Sequence, residues 1–318
     1  MSGSILQKII RVGLLALFAL LQASPAAANA PQRFVVFGDS LSDPGNAFVL
    51  VRDVEVPPFD NLIPDAPYAR GALHFSDGAT WVEQLSILDH ALPSTGPALL
   101  NPAMFSNYAV GGARARHVGF FDLSTQVGVF LNDFGGHGPA DALYVVFVGG
   151  NDLRDALLAP AQSTAIVQNA LLAIQGNLGT LHAAGARNFL VANAPNLGLA
   201  PAVRLLGPAA QSAATFLAAQ FNAGLESILE GLEFASGLNI VRFDVFQALN
   251  EIVAAPGAFG LTNVTQPCIA VNTNAQPFCA NPGTFLFWDG IHPTKAGHRI
   301  IAESARAALG AVPVATAP

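Results

Sequence analysis

Four short runs, Arg33–Phe37 (RFVVF), Ala142–Val148 (ALYVVFV), Asn188–Ala192 (NFLVA) and Asn239–Phe243 (NIVRF), are apolar almost throughout rather than on alternate residues. Strands of that kind are buried on both faces, as a parallel sheet requires and a half-solvated antiparallel sheet does not. Between and after them lie stretches of helical period: Thr80–His90, Leu123–Phe134, Gln162–Ala184, Pro208–Phe234, Val245–Val253 and about Thr294 to Leu309. Alternation of buried strand and amphipathic helix predicts a three-layer α/β domain with helices on both faces of a parallel sheet. Two stretches resist the pattern and read as long loops: Arg52–Asp77, rich in Pro and Asp, and Leu261–Phe285, which carries the cysteines. Ordered loops of that length in a compact domain are often functional. No linker, repeat or low-complexity tract divides the rest.

Composition narrows the class. With 52% hydrophobic and 11% charged residues, the 318-residue chain has too much apolar content for a disordered protein. Its long charge-free stretch, Val12–Leu21, follows Lys8 and Arg11, is too short to span a bilayer, and precedes the small residues Ala26–Ala30. That is the pattern of a signal peptide. The expected division is a signal over residues 1–28 and a single domain over 29–318, with cleavage after Ala28 favoured because Pro31 would follow a cut after Ala30. An uncleaved N-terminal anchor is the competing reading. The mature protein is then secreted or periplasmic, with no stable membrane insertion. Loss of Lys8 and Arg11 takes the net charge from −7 to −9, so electrostatics gives no reason to bind nucleic acid. Export also bears on Cys268 and Cys279, which lie in a Gly/Pro/Asn-rich stretch and are expected to close one short disulfide loop.

Gly38-Asp39-Ser40-Leu41-Ser42 directly follows the first strand, and ligands of open α/β sheets bind beyond the carboxyl ends of strands. Asp43-Pro44-Gly45-Asn46 can turn into a helix whose free N–H groups would face the reacting atoms. Asp289-Gly290-Ile291-His292-Pro293 places an acid and a base three residues apart across a Gly, before the last helix. A serine hydroxyl needs such a base, and the base needs an acceptor on its other ring nitrogen. Asn107–Ala113 (NYAVGGA) and Gly149-Gly150-Asn151-Asp152 are small-residue segments that can aim N–H donors at a developing oxyanion. Each motif alone has a bland reading as a turn or cap, but together they are complementary parts. The spacing shows no HExxH-like pattern and no G-x-S-x-G elbow, and no metal or cofactor is expected. His74, His90, His117, His137, His182 and His298 read as surface or satisfied core, with His298 placed by the last helix away from the site.

Phe37–Asn46 (FGDSLSDPGN), Asn107–Ala113, Val148–Asp152 (VGGND) and Asp289–His292 (DGIH) resemble, in order and spacing, the blocks of the GDSL or SGNH hydrolase superfamily. The closest likeness is to plant GDSL lipases and secreted bacterial phospholipase-like enzymes. His74–Leu85 (HFSDGATWVEQL) and Leu261–Cys268 (LTNVTQPC) add to it, and the likeness runs from about residue 33 to 305. The resemblance implies a flavodoxin-like α/β/α sandwich with a five-stranded parallel sheet. It also implies Ser40 as nucleophile, His292 as base, Asp289 as its partner, and an oxyanion hole from Ser40, Gly112 and Asn151. The expected substrate is a small-molecule or lipid ester, preferably an acyl lipid or lysophospholipid, its chain lodged between Arg52–Asp77 and Arg114–Phe121. Alternatives on the same scaffold are a carbohydrate O-deacetylase or thioesterase, and a non-catalytic secreted binding module.

Overall fold

The computed structural model describes residues 33–51, 73–91, 93–119, 121–269 and 279–311, all within one compact unit, Pro31–Val312. The expected signal segment and most of Arg52–Asp77 lie outside the described residues.

The chain runs β1 (Phe34–Gly38), α1 (Asn46–Val51), α2 (Trp81–Leu88), α3 (Leu123–Asp133), β2 (Leu143–Phe147), α4 (Gly150–Leu158), α5 (Ser163–Ala183) and β3 (Asn188–Ala192). It continues with α6 (Pro201–Leu205), α7 (Pro208–Ser236), β4 (Asn239–Phe243), α8 (Val245–Ala254), β5 (Asn263–Pro267), β6 (Phe285–Phe287) and α9 (Lys295–Ala311). Strands β1 to β4 form a parallel sheet in sequence order. Successive side chains of a strand point to opposite faces. Val35 and Phe37 therefore enter one core layer with Leu123 and Phe130 of α3, Ile174 of α5 and Phe221 of α7. Phe34 and Val36 enter the other with Trp81 of α2 and Ile301 of α9. Full burial of each such side chain is worth roughly 1.5–3 kcal/mol, which explains why these strands carry no polar face.

Among the described residues the sheet has four strands rather than the expected five. Residues 106–110 lie along the open side of β1 as an extended segment: Val36 N donates to Ser106 O (2.9 Å), Tyr108 N to Val36 O (2.8 Å) and Val110 N to Gly38 O (3.2 Å). Its outward carbonyls are met mainly by a side chain, since Asn46 Nδ2 donates to those of both Asn107 and Ala109, while the Asn107 carbonyl also accepts from Ala98 N (3.0 Å). The fifth position is thus occupied by irregular chain held by amides. A second difference is the parallel pair β5–β6, of which β5 lies inside the stretch read as a loop and β6 begins at its last residue. Asn-Val-Thr-Gln-Pro has too little apolar content to signal a strand. The Cys268–Cys279 disulfide sits just after β5, where Cys268 N donates to Phe287 O and Ile269 N to Trp288 O. Among the described residues no single helix is long and apolar enough to cross a membrane.

Candidate active site

Strand β1 ends at Gly38, where the Gln126 side chain brackets the backbone: Gly38 N donates to Oε1 (2.9 Å) and Nε2 donates to Gly38 O (2.8 Å). A Cβ at Gly38 would stand 2.5 Å from Phe147 O, so the close approach of β2 leaves no room for a side chain there. The turn that follows is closed by Ser42 N donating to Asp39 O (3.0 Å) and exposes Ser40 at the sheet's carboxyl edge.

At the far end of the chain, Asp289 is fully buried and anchored by its own turn: Ile291 N (2.8 Å) and His292 N (2.7 Å) both donate to Oδ1. That leaves Oδ2 to accept from His292 Nδ1 (2.6 Å). With its proton on Nδ1, the imidazole presents Nε2 as an acceptor, and Ser40 Oγ donates to it at 2.7 Å. Three side chains from opposite ends of the sequence thus form one hydrogen-bonded line. Phe75 stacks on the imidazole (5.5 Å between centroids, 27° between planes), and Ser76 Oγ donates to Pro293 O (2.9 Å). Sequence reasoning flagged this HFSDG segment by resemblance and assigned it no part in the site.

The candidate donors come from three segments. Gly112 has φ +81°, a conformation that favours glycine, and a Cβ there would meet open space. The N–H groups of Ser40 and Gly112 donate to no acceptor among the described residues. Asn151, at the start of α4, gives one amide hydrogen to Ala113 O (2.9 Å) and keeps a second. The placement of Gly111–Gly112 follows from Asp43, whose carboxylate accepts from Gly45, Asn46, Ala47 and Gly111 N–H groups. That overturns the expectation that the helix after Ser40 offers free N–H groups to the reaction: Asp43 takes the first N–H groups of α1 for itself. The helix terminus at the site is instead that of α4, which periodicity missed because its first turn is Gly-Asn-Asp.

A largely apolar cavity of about 110 Å³ opens beside Ser40 and His292. Its walls come from α4 (Leu157), α6 (Val203), α8 (Leu249), β6 (Phe287) and α9 (Ile301). Of the expected lining from Arg114–Phe121, the described residues do not border this cavity, and Arg114 and Arg116 pair instead with Asp152 and Asp155. His298 also lines the cavity and is 1% exposed, contrary to its expected place away from the site. Helix α9 begins three residues after His292, and its first inward-facing turn stays behind the base. Burial, helped by nearby His292 and His74, pushes the His298 ring down to about 3, so it stays neutral. No cluster of three or more His, Cys, Asp or Glu able to hold a metal ion lies among the described residues.

Asp39, also on the cavity wall, is pushed by burial from an ordinary 3.8 up to about 6, against the opposing pull of the Leu41 N–H on its Oδ1. Between those values the folded protein holds a proton that the unfolded chain has released. Its contribution to stability is therefore full at low pH and declines as pH rises through about 6. Asp39→Asn keeps an acceptor for Leu41 and removes the decline. Its urea midpoint is expected to exceed the wild-type midpoint near pH 8 and to converge with it near pH 4; equal differences at both pH values would contradict this.

A sequence model described as GDSL-like lipase/acylhydrolase matches residues 34–305. The thermolabile hemolysin of Vibrio parahaemolyticus is 27% identical over 297 residues, covering 85% of this chain and 62% of the hemolysin. One GDSL esterase/lipase of Arabidopsis thaliana is 24% identical over 330 residues, covering 89% of each chain. A second from that plant is 29% identical over 185 residues, covering 52% of this chain and 51% of the relative. The chain thus spans between half and two thirds of the length of two of these relatives. Among solved structures, a catalytic mutant of Axe2, an acetylxylan esterase from Geobacillus stearothermophilus, shares the fold with a TM-score of 0.50 at 15% identity, covering 89% of this chain and 95% of that one.

Proposed function

Because the chain belongs to the GDSL-like lipase/acylhydrolase family, we propose that it is a carboxylic ester hydrolase that cleaves acyl-lipid esters through an acyl-enzyme on Ser40. The observation that carries this reading is the buried line from Asp289 through His292 to Ser40 Oγ. His292 takes the hydroxyl proton as Ser40 attacks the ester carbonyl, then gives it to the leaving alcohol. Water, activated in the same way, releases the acid. Asp289 holds the proton-bearing tautomer and stabilises the imidazolium. The free N–H groups of Ser40 and Gly112 and the second amide hydrogen of Asn151 receive the oxyanion. Such a donor typically carries about 3–4 kcal/mol of the barrier. Asn151→Ala is therefore expected to lower kcat by about 10²–10³-fold with little change in KM. A loss confined to KM would remove Asn151 from the oxyanion hole.

The apolar cavity supports an acyl chain of medium length or more over acetyl. The Cys268–Cys279 disulfide supports an oxidising compartment, periplasmic or extracellular, with residues 1–28 as the export signal. The test is hydrolysis of p-nitrophenyl acetate, butyrate, octanoate and palmitate, beside acetylated xylan. A kcat/KM that rises from acetate to octanoate supports the lipid reading. Turnover restricted to acetyl esters or acetylated xylan replaces it with the O-deacetylase.

A further inference from the structure

His298 has no part in the line from Asp289 to Ser40, yet it lines the cavity beside Ser40. Its Nδ1 accepts from the backbone N–H of Trp81, the first residue of α2, at 3.2 Å. A neutral imidazole that accepts on one nitrogen carries its proton on the other, so Nε2 is a donor. That Nε2 is buried and meets no hydrogen-bond partner among the described residues. The cavity lining to which His298 belongs is largely apolar, with Trp81, Phe147, Leu286, Phe287 and Ile301 among it. A buried N–H without an acceptor is costly, and nearly all buried polar groups in folded proteins are paired. An unpaired donor in a largely apolar lining therefore discriminates among the groups that enter it.

On the reading of this site as an acyl-ester hydrolase, we propose that His298 Nε2–H is a specificity determinant that recognises an oxygen acceptor carried on the acyl chain. The substrate class is then an ester of a hydroxy- or oxo-substituted acid, preferred over a plain alkanoic acid of equal length. A plain chain packed against His298 covers the donor and leaves it unsatisfied. An oxygen at the matching depth satisfies it. A site that hydrogen-bonds a substrate oxygen rejects the analogue lacking it far more strongly than an apolar pocket rejects a missing methylene. A single neutral donor is expected to give about a tenfold preference.

The test walks a hydroxyl or keto oxygen along p-nitrophenyl octanoate, one chain position at a time from carbon 4 outward. Wild type is expected to show one position at which kcat/KM exceeds that for the plain octanoate about tenfold. Two variants separate the donor from the fold. In His298→Asn the side-chain oxygen takes the place of Nδ1 and keeps the Trp81 N–H satisfied, while nothing donates from the Nε2 position. In His298→Gln the amide reaches the Nε2 position and restores a donor. The preference is expected to vanish in the first and to persist in the second. The matching anilides, bound to wild type and both variants and followed by calorimetry, read the same ratio without turnover. Slow ester hydrolysis therefore leaves the His298 inference decidable on its own. A series with no favoured position, or a preference that survives in His298→Asn, overturns it.

Discussion

Ser40→Ala is expected to lower kcat by about 10⁵–10⁶-fold while the protein unfolds at the wild-type midpoint. The substitution removes one oxygen from a residue 6% exposed and leaves its N–H in place. The loss falls on the covalent step alone. What remains is the modest rate that the oxyanion donors and substrate binding supply without a nucleophile. His292→Ala should fall as far, and the double variant scarcely further, because the two act as one unit. The measurement is the burst of p-nitrophenol under single-turnover conditions, with near-ultraviolet circular dichroism to establish the native fold. A Ser40→Ala protein that still gives a burst would move the nucleophile elsewhere.

Asp289→Asn is expected to lower kcat by about 10⁴-fold, less than loss of the serine but more than a missing charge alone explains. The reason lies in the turn. Oδ1 accepts two backbone N–H groups, from Ile291 and His292. An asparagine has one oxygen, and those two donors claim it. Its amide nitrogen is left facing His292 Nδ1, which must then accept, so the imidazole proton moves to Nε2. That nitrogen already faces Ser40 Oγ at 2.7 Å, and once protonated it cannot take the serine proton. Asp289→Ala imposes no tautomer and is expected to be the more active of the two at neutral pH. The reverse order would show that the carboxylate acts through its charge rather than by holding a proton in place.

The elements that could be read from the sequence were those whose stabilisation is local or strongly apolar. Arg33–Phe37 and Asn188–Ala192 announced strands because both faces are buried, and the observed β1 and β3 fall within a residue of them. The residues of the Asp289–His292–Ser40 line could be named because their motifs are short and ordered along the chain. Features that arise from distant packing stayed hidden. Nothing local shows that Phe75 stacks on His292, or that His298 faces the cavity rather than solvent. Period alone gave neither α4, whose Gly-Asn-Asp opening is a poor helix signal, nor the placement of residues 106–110, which depends on Asn46 some sixty positions earlier. The described part of Arg114–Phe121 lies off the cavity for a similar reason: Arg114 and Arg116 look like pocket rim in sequence and are paired with carboxylates that only the fold brings near.

Serine and base are 252 positions apart, one following the first strand and the other preceding the last helix. Ser76 and Pro293, and Trp81 and His298, are joined across a similar distance, each 217 positions apart. Contacts of such long sequence separation form late, after the intervening chain has condensed. A polypeptide still emerging from the ribosome thus carries a hydroxyl with nothing to deprotonate it. On the proposed mechanism, hydrolytic competence therefore waits for the loop that carries His292 to dock against Ser40, and a chain not yet made that far has no base for its serine.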